Sequence, residues 1–381
     1  MKIGILTQPL HSNYGGLLQN YALQTILKRM GHEVVTLEEK EQETTPLGMF
    51  LSIVKTFILK LFGKRKNIKV SFSQIMVVKK ANQKKKYISR HTRKFIENYI
   101  TVSPKMPSVM ATRMYVIKNK YEGLVVGSDQ VWRPLYNERI SRSFFDFAEG
   151  LKIKRVAYAA SFGVDYWEYT PKQTDVCRKL VQQFDAVSVR EESAIELCRE
   201  YLGVEACHLL DPTMLLEKED YIKVVKEQNE HKSKGNLFYY ILDYEMSKKQ
   251  IIDEVASIKG LTPFTSMPNA CGNADNWDAC TFPPVTQWLR GFMDAEFVVC
   301  DSFHGAVFSI IFNKPFIVIG NANRGLSRFY SLLKTYNLEN RLLTDTFDLS
   351  IVNQPIDWKE VNTRRSVLKG DSISFLKSKL S

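Results

Sequence analysis

The stretch Ala295–Gly320 constrains the fold of this chain more than any other. Its two short apolar runs, Glu296–Cys300 and Phe316–Ile319, read as buried strands, and the polar turn Asp301–Gly305 with a helix over Ala306–Asn313 connects them. Lys314-Pro315 closes that helix, because proline cannot continue it. In an open α/β sheet, such a turn stands at the carboxyl end of a strand, where ligands bind. Asp301, Ser302 and His304 therefore lie at the amino end of a helix, whose unpaired N–H groups and dipole favour an anion. From the turn alone, the plainer reading prevails: Asp301 or Ser302 as a helix cap and His304 as a satisfied core or surface histidine.

The remainder repeats the strand-turn-helix theme. Lys2–Leu6 is a strand, Leu17–Met30 an amphipathic helix and Glu33–Leu37 a returning strand, which makes a βαβ unit. The loop between the first two, His11–Gly16, places Gly15 and Gly16 just before the helix. A ligand can approach the backbone closely there, although the spacing is not that of a dinucleotide fingerprint. Further strands are expected over Tyr121–Val126, Arg155–Ala160 and Ala186–Val189. They deliver Gly127–Pro134, Ser161-Phe162-Gly163 and Arg190–Ser193 at their ends. Arg190 offers a rigid fork of donors suited to a carboxylate or phosphate, or else an ion pair with Asp185, Glu191 or Glu192.

A hydrophilic run at Glu227–Gly235 reads as a linker, after which a second α/β series begins. It is expected to comprise the strands Asn236–Leu242 and Leu261–Ser266, helices over Lys248–Ile258 and Val285–Met293, and then the opening stretch. Asn321–Arg328 follows, with two arginines and a serine before another helix. This divides the chain into an N-terminal domain (1–228) with a basic helical excursion (46–100), a C-terminal domain (235–345), and a helical tail (346–381) expected to pack back on the first domain. Strands and helices alternate in both, so the expected fold class is α/β.

Charge and cysteines narrow the function classes. The net charge of +12 is local: 14 Lys and Arg against one acid fall in residues 51–100, leaving 39 bases against 40 acids elsewhere. No nucleic-acid motif accompanies them. The apolar run Leu47–Phe62 adjoins this basic patch, so peripheral contact of residues 47–66 with anionic lipid is an expectation, with a helix packed on the sheet as the alternative. Six cysteines without a CxxC pair indicate neither zinc nor a disulfide framework, and no metal is expected. A cytoplasmic chain, at the inner face of the cell membrane, is the simplest setting.

Five motifs in series resemble the polysaccharide pyruvyl transferase family. They are Asn13-Tyr14-Gly15-Gly16 with Gln19–Gln24, Gly127–Trp132, Ser188–Ser193, Asp211-Pro212-Thr213 and Asp301–Ala306, in order over residues 1 to about 345. The resemblance implies a glycosyltransferase-B-like pair of Rossmann-type domains facing across a cleft. It also implies transfer of pyruvate from phosphoenolpyruvate, as a cyclic ketal, onto two hydroxyls of a sugar or lipid-linked oligosaccharide in bacterial capsular or exopolysaccharide assembly. No cofactor is implied beyond phosphoenolpyruvate as donor. His304 and Arg190 match the family's catalytic and donor-binding positions, with Asp301 expected to orient the imidazole. Donor contacts are expected from Arg190, Ser302, His304, Gly305, Arg324, Ser327 and Arg328; the two later arginines are needed because Ser302 stands where many relatives have arginine. Acceptor contacts are expected from Asn13, Tyr14, Gly15, Gly16 and Gln19 at the first loop, and from Ser128, Asp129, Trp132 and Ser161. The fold alone leaves open a nucleotide-sugar glycosyltransferase or a non-catalytic carbohydrate- or membrane-binding protein.

Overall fold

The computed structural model describes residues 1–40, 72–269, 276–320, 325–344 and 348–381. Two parallel sheets organise it. The first contains β1 (Lys2–Leu6), β2 (Glu33–Thr36), β3 (Gly123–Val126), β4 (Lys154–Ala160), β5 (Ala186–Val189) and β6 (Cys207–His208), in the order β2-β1-β3-β4-β5-β6. The second contains β7 (Leu237–Tyr240), β8 (Pro263–Phe264), β9 (Phe297–Cys300), β10 (Phe316–Ile319) and β11 (Leu342–Leu343), in the order β11-β10-β9-β7-β8. β3, β9 and β10 are buried at every residue, as continuous apolar runs in a parallel sheet require.

Each sheet has one place where strand order reverses, between β1 and β3 in the first and between β7 and β9 in the second. Connections leave such a point on opposite faces, which opens a crevice at the strand ends. Ser128 and Asp129 stand just beyond β3, and Asp301 just beyond β9. This is the glycosyltransferase-B-like arrangement of two Rossmann-like domains.

One apolar cluster runs through both domains, including Ile3 and Leu18 of the first, Trp288 and Phe308 of the second, and Leu376 of the tail. Tyr14 is its peg. The ring of this first-domain residue stacks on Trp288 at 5.7 Å and lies 6.3 Å from Tyr240, while its hydroxyl donates to the Pro283 carbonyl at 2.8 Å. The tail helix Trp358–Leu380 lies on the first domain, where Arg365 donates to the Leu216 carbonyl at 2.6 Å and Ser372 accepts from the Leu210 N–H at 3.3 Å.

Several boundaries differ from expectation. The first helix spans Tyr14–Arg29 with Asn13 as N-cap, so Gly15 and Gly16 lie in its first turn instead of in a loop. The third strand begins at Gly123, and the expected strand Leu261–Ser266 is confined to Pro263–Phe264. Residues 47–66, and with them the expected lipid contact, lie outside the described residues. No helix among the described residues is long and apolar enough to cross a membrane. Cys280 is disulfide-bonded, where the sequence indicates no disulfide framework.

Because Tyr14 joins the two domains through stacking and a buried hydrogen bond, Tyr14→Ala should lower unfolding stability by about 3–5 kcal/mol and Tyr14→Phe by only about 1 kcal/mol. Denaturant midpoints measure both, and equal losses would show that the ring contributes nothing beyond its hydroxyl.

Candidate active site

The helix Phe303–Ile311 starts directly after β9, so His304 occupies its first turn and not the turn before it. Ser302 is the N-cap residue but makes no side-chain capping bond. The imidazole crosses to the other domain and lies on Gly15. Any Cβ at that position would overlap the ring, so only glycine permits this approach. The ring therefore sits against the amino ends of two helices. Its Nε2 faces Asp211 Oδ2 at 3.5 Å, the outer limit of a hydrogen bond, and has no closer partner among the described residues.

Asp211 is the meeting point of the site. It caps the short turn Pro212–Leu215, where Oδ1 accepts from the N–H of Thr213 at 3.0 Å and from its hydroxyl at 2.7 Å. Oδ2 accepts from Ser128 at 2.9 Å and from Arg190 Nη1 at 3.0 Å. Asp211 is 2% exposed, Arg190 3% and His304 6%. Burial works to raise the Asp211 carboxyl, but His304, Arg190 and Thr213 outweigh it and hold the group well below the usual carboxylate range.

Arg190, directly after β5, points inward as expected. Its guanidinium lies over the Phe303 ring at 4.2 Å. Asp129 and Glu191 stand 3.9 and 3.8 Å from its other nitrogens, too far to accept hydrogen bonds. Nε and Nη2 therefore have no hydrogen-bond partner among the described residues. Arg328, from the helix Ser327–Thr335, is buried near the same ring. Burial and the charge of Arg190 push its guanidinium down to about 10, against the pull of Glu191 and Asp129. Burial pushes the Glu191 carboxyl up despite Arg190 and a hydrogen bond from Ser161. Two buried guanidinium groups, that of Arg190 with donors unfilled among the described residues, and an imidazole, enclosed together, make an anion site.

The other expected residues divide into four groups. Asn13, Gly16 and Asp129 adjoin the cluster: the Asn13 amide donates to Asp129 Oδ2 at 3.3 Å, and Asp129 adopts a left-handed backbone with φ +76° at the strand end. Strain of that kind concentrates at functional sites. Ser128 and Ser161 support Asp211 and Glu191, respectively. Ser327 donates to the Gly163 carbonyl at 3.3 Å, and Gly325, at φ +85°, packs so closely on Gly163 that no Cβ fits, so this loop closes the cleft. Gly305 packs its helix on β9, where a Cβ would come within 2.7 Å of Cys300 Cβ.

Three expectations are corrected. Asp301 does not orient His304. It stands beside β7, where the N–H groups of Leu242 and Asp243 donate to it at 2.7 and 3.2 Å and Lys248 pairs with it at 2.8 Å, so its carboxylate is turned toward that loop. Trp132 is fully buried, stacked on Phe144 at 4.8 Å with its indole N–H on the Ser143 carbonyl, and offers no face to a sugar. Tyr14 and Gln19 are core residues; the Gln19 amide donates to Thr7 at 2.7 Å. Arg324 lies outside the described residues. Sequence reasoning passed over Asp211 and Phe303 as site residues, although both stand inside quoted motifs.

A family model described as polysaccharide pyruvyl transferase matches residues 13–323. The chain is similar in fold to a glycosyltransferase from Rickettsia africae (TM-score 0.51, 9% identity, covering 100% of this chain and 99% of that one). It is similarly close to the UDP-GlcNAc 2-epimerase of Neisseria meningitidis bound to UDP-GlcNAc (TM-score 0.50, 9% identity, 100% and 99% covered). None of the curated proteins compared matches the chain in sequence.

Because the Asp211 carboxyl is depressed on folding, it contributes stability that is complete above the ordinary aspartate range and is lost as pH falls below it. Asp211→Asn should therefore destabilise the chain by about 3–5 kcal/mol at pH 7. That difference should narrow by roughly 1 kcal/mol per pH unit below about pH 4. Denaturation at stepped pH reads this, and a difference that stays constant down to pH 3 would contradict it.

Proposed function

The chain belongs to the polysaccharide pyruvyl transferase family, and on that premise we propose that it moves the enolpyruvyl group of phosphoenolpyruvate onto two hydroxyls of a sugar, closing a cyclic ketal. The acceptor in this reading is a galactose-type residue of a bacterial capsular or exopolysaccharide, free or lipid-linked. One observation supports it most: His304 of one domain and Arg190 of the other converge on Asp211 in one enclosed site, with two Arg190 donors unfilled.

The residues divide the chemistry as follows. Arg190 and Arg328 hold the carboxylate and phosphate of the donor in place of water. His304, as imidazolium, gives its proton to the methylene carbon, and the adjacent carbon becomes cation-like. Asp211, ionised throughout, steadies that imidazolium and aims it. One sugar hydroxyl attacks the cationic carbon and gives its proton to Asp129. Asp129 passes that proton to the bridging oxygen as inorganic phosphate leaves, and the second hydroxyl closes the ring, its proton restoring His304. Holding both hydroxyls and the donor together supplies much of the acceleration. Since every one of these groups is nearly buried, donor entry requires the two domains to part where Gly325 and Ser327 meet Gly163. Membrane contact through residues 47–66 would bring the enzyme to a lipid-linked acceptor.

Incubation with phosphoenolpyruvate and a galactoside should release one phosphate per ketal formed, detected by phosphate assay and mass spectrometry. Consumption of a nucleotide sugar without phosphoenolpyruvate would overturn the reading. His304→Ala should lower turnover at least 100-fold. Gly15→Ala, which displaces the ring while keeping a residue that suits a helix, should cost a similar factor with little change in unfolding midpoint. Near-normal turnover in either variant would remove the imidazole from the proton transfer.

A further inference from the structure

Two adjoining hollows open at the carboxyl ends of β1 and β2, on the other side of β1 from Asp129. The larger, about 480 Å³, has Leu10, Ile96 and Val102 among its lining residues. Lys85, Lys86, Arg93 and Lys105 also line it, against two carboxylates, Glu38 and Glu97. The smaller, about 150 Å³, shares Leu10, Glu38 and Lys105 with it and extends to Gln8. Gln8 leads back to the reaction site, since its amide donates at 2.8 Å to the carbonyl of Gln130, the neighbour of Asp129.

We propose that this groove holds the anionic handle of the acceptor, a phosphate or diphosphate joined to the sugar whose hydroxyls reach Asp129. The inference rests on the reading of the chain as a pyruvyl transferase acting on a sugar. Charge supports it, because four cations against two carboxylates leave the hollow net positive, which favours an anion there. Topology supports it too. β2 lies two strand spacings from β3, roughly 10 Å, a distance that a short saccharide spans between the reacting hydroxyls and its reducing-end phosphate. The cations come from Lys85, Lys86 and Arg93 in the helical excursion and from Lys105 beside β2, so the basicity confined to residues 51–100 acquires a role in substrate binding. The apolar residues beside the cations suit the first carbons of a lipid carrier; a soluble phosphorylated saccharide shares the phosphate chemistry but would leave them unused.

Calorimetry on the full chain at low salt, with inorganic pyrophosphate and with geranyl diphosphate, tests the groove without turnover. Lys86 and Lys105 are exposed, so their replacement leaves the core intact. Lys86→Gln with Lys105→Gln should weaken both ligands at least 10-fold, while Lys152→Gln, an exposed site elsewhere, should leave both unchanged. Geranyl diphosphate binding 10-fold tighter than pyrophosphate assigns a lipid-linked handle, and equal binding assigns a soluble one. Absence of binding, or binding that the double variant leaves unaltered, overturns the proposal. Pyrophosphate held by the groove in a chain that forms no ketal would instead refute the pyruvyl transferase reading and leave the anion site standing.

Discussion

A single buried carboxylate, shared between two domains, is the constraint on which the rest of this structure depends. Asp211 accepts from Ser128, Arg190 and Thr213 of its own domain and faces His304 of the other. Removing such a charge from water is costly, and it is tolerated only where cations and donors surround it. The consequence is geometric. Arg190 is fixed through one nitrogen and presents its remaining donors, and the imidazole is held at the domain boundary. The aromatic peg of Tyr14 and the tail helix lock the same boundary by apolar contact, so the polar centre need not supply cohesion as well.

Much of this architecture was legible in the chain. Apolar runs between turn residues located Ala186–Val189 and Phe316–Ile319 to the residue, because a strand buried on both faces has no other pattern. Helix starts were less legible. Asn13 caps the first helix and His304 lies within its own helix, because glycine and polar residues near a helix start read as loop while the capping bond and the packing of Gly15 on His304 are non-local. Side-chain partners were least legible. Asp301, Asp211 and Asp129 all follow strand ends, and only the fold decides that Lys248 and two peptide N–H groups claim the first while Arg190 and His304 share the second. Trp132 misled for a related reason, since an aromatic beside a polar turn fills the core as readily as it stacks on a sugar.

The fold itself does not choose the chemistry. Chains with this architecture and 9% identity include a glycosyltransferase and an epimerase, and function on such scaffolds resides in the side chains at the strand ends. In this chain those side chains include two guanidinium groups and an imidazole enclosed at one point, a set that suits an anion. A second cationic hollow lies at the carboxyl ends of β1 and β2.

Protonation of the donor's methylene carbon is the step on which the account turns, and running the reaction in deuterium oxide examines it directly. Mass spectrometry of the product should find a single solvent deuterium in each ketal methyl group formed by the wild-type chain. A ketal methyl without solvent deuterium would contradict proton donation to that carbon.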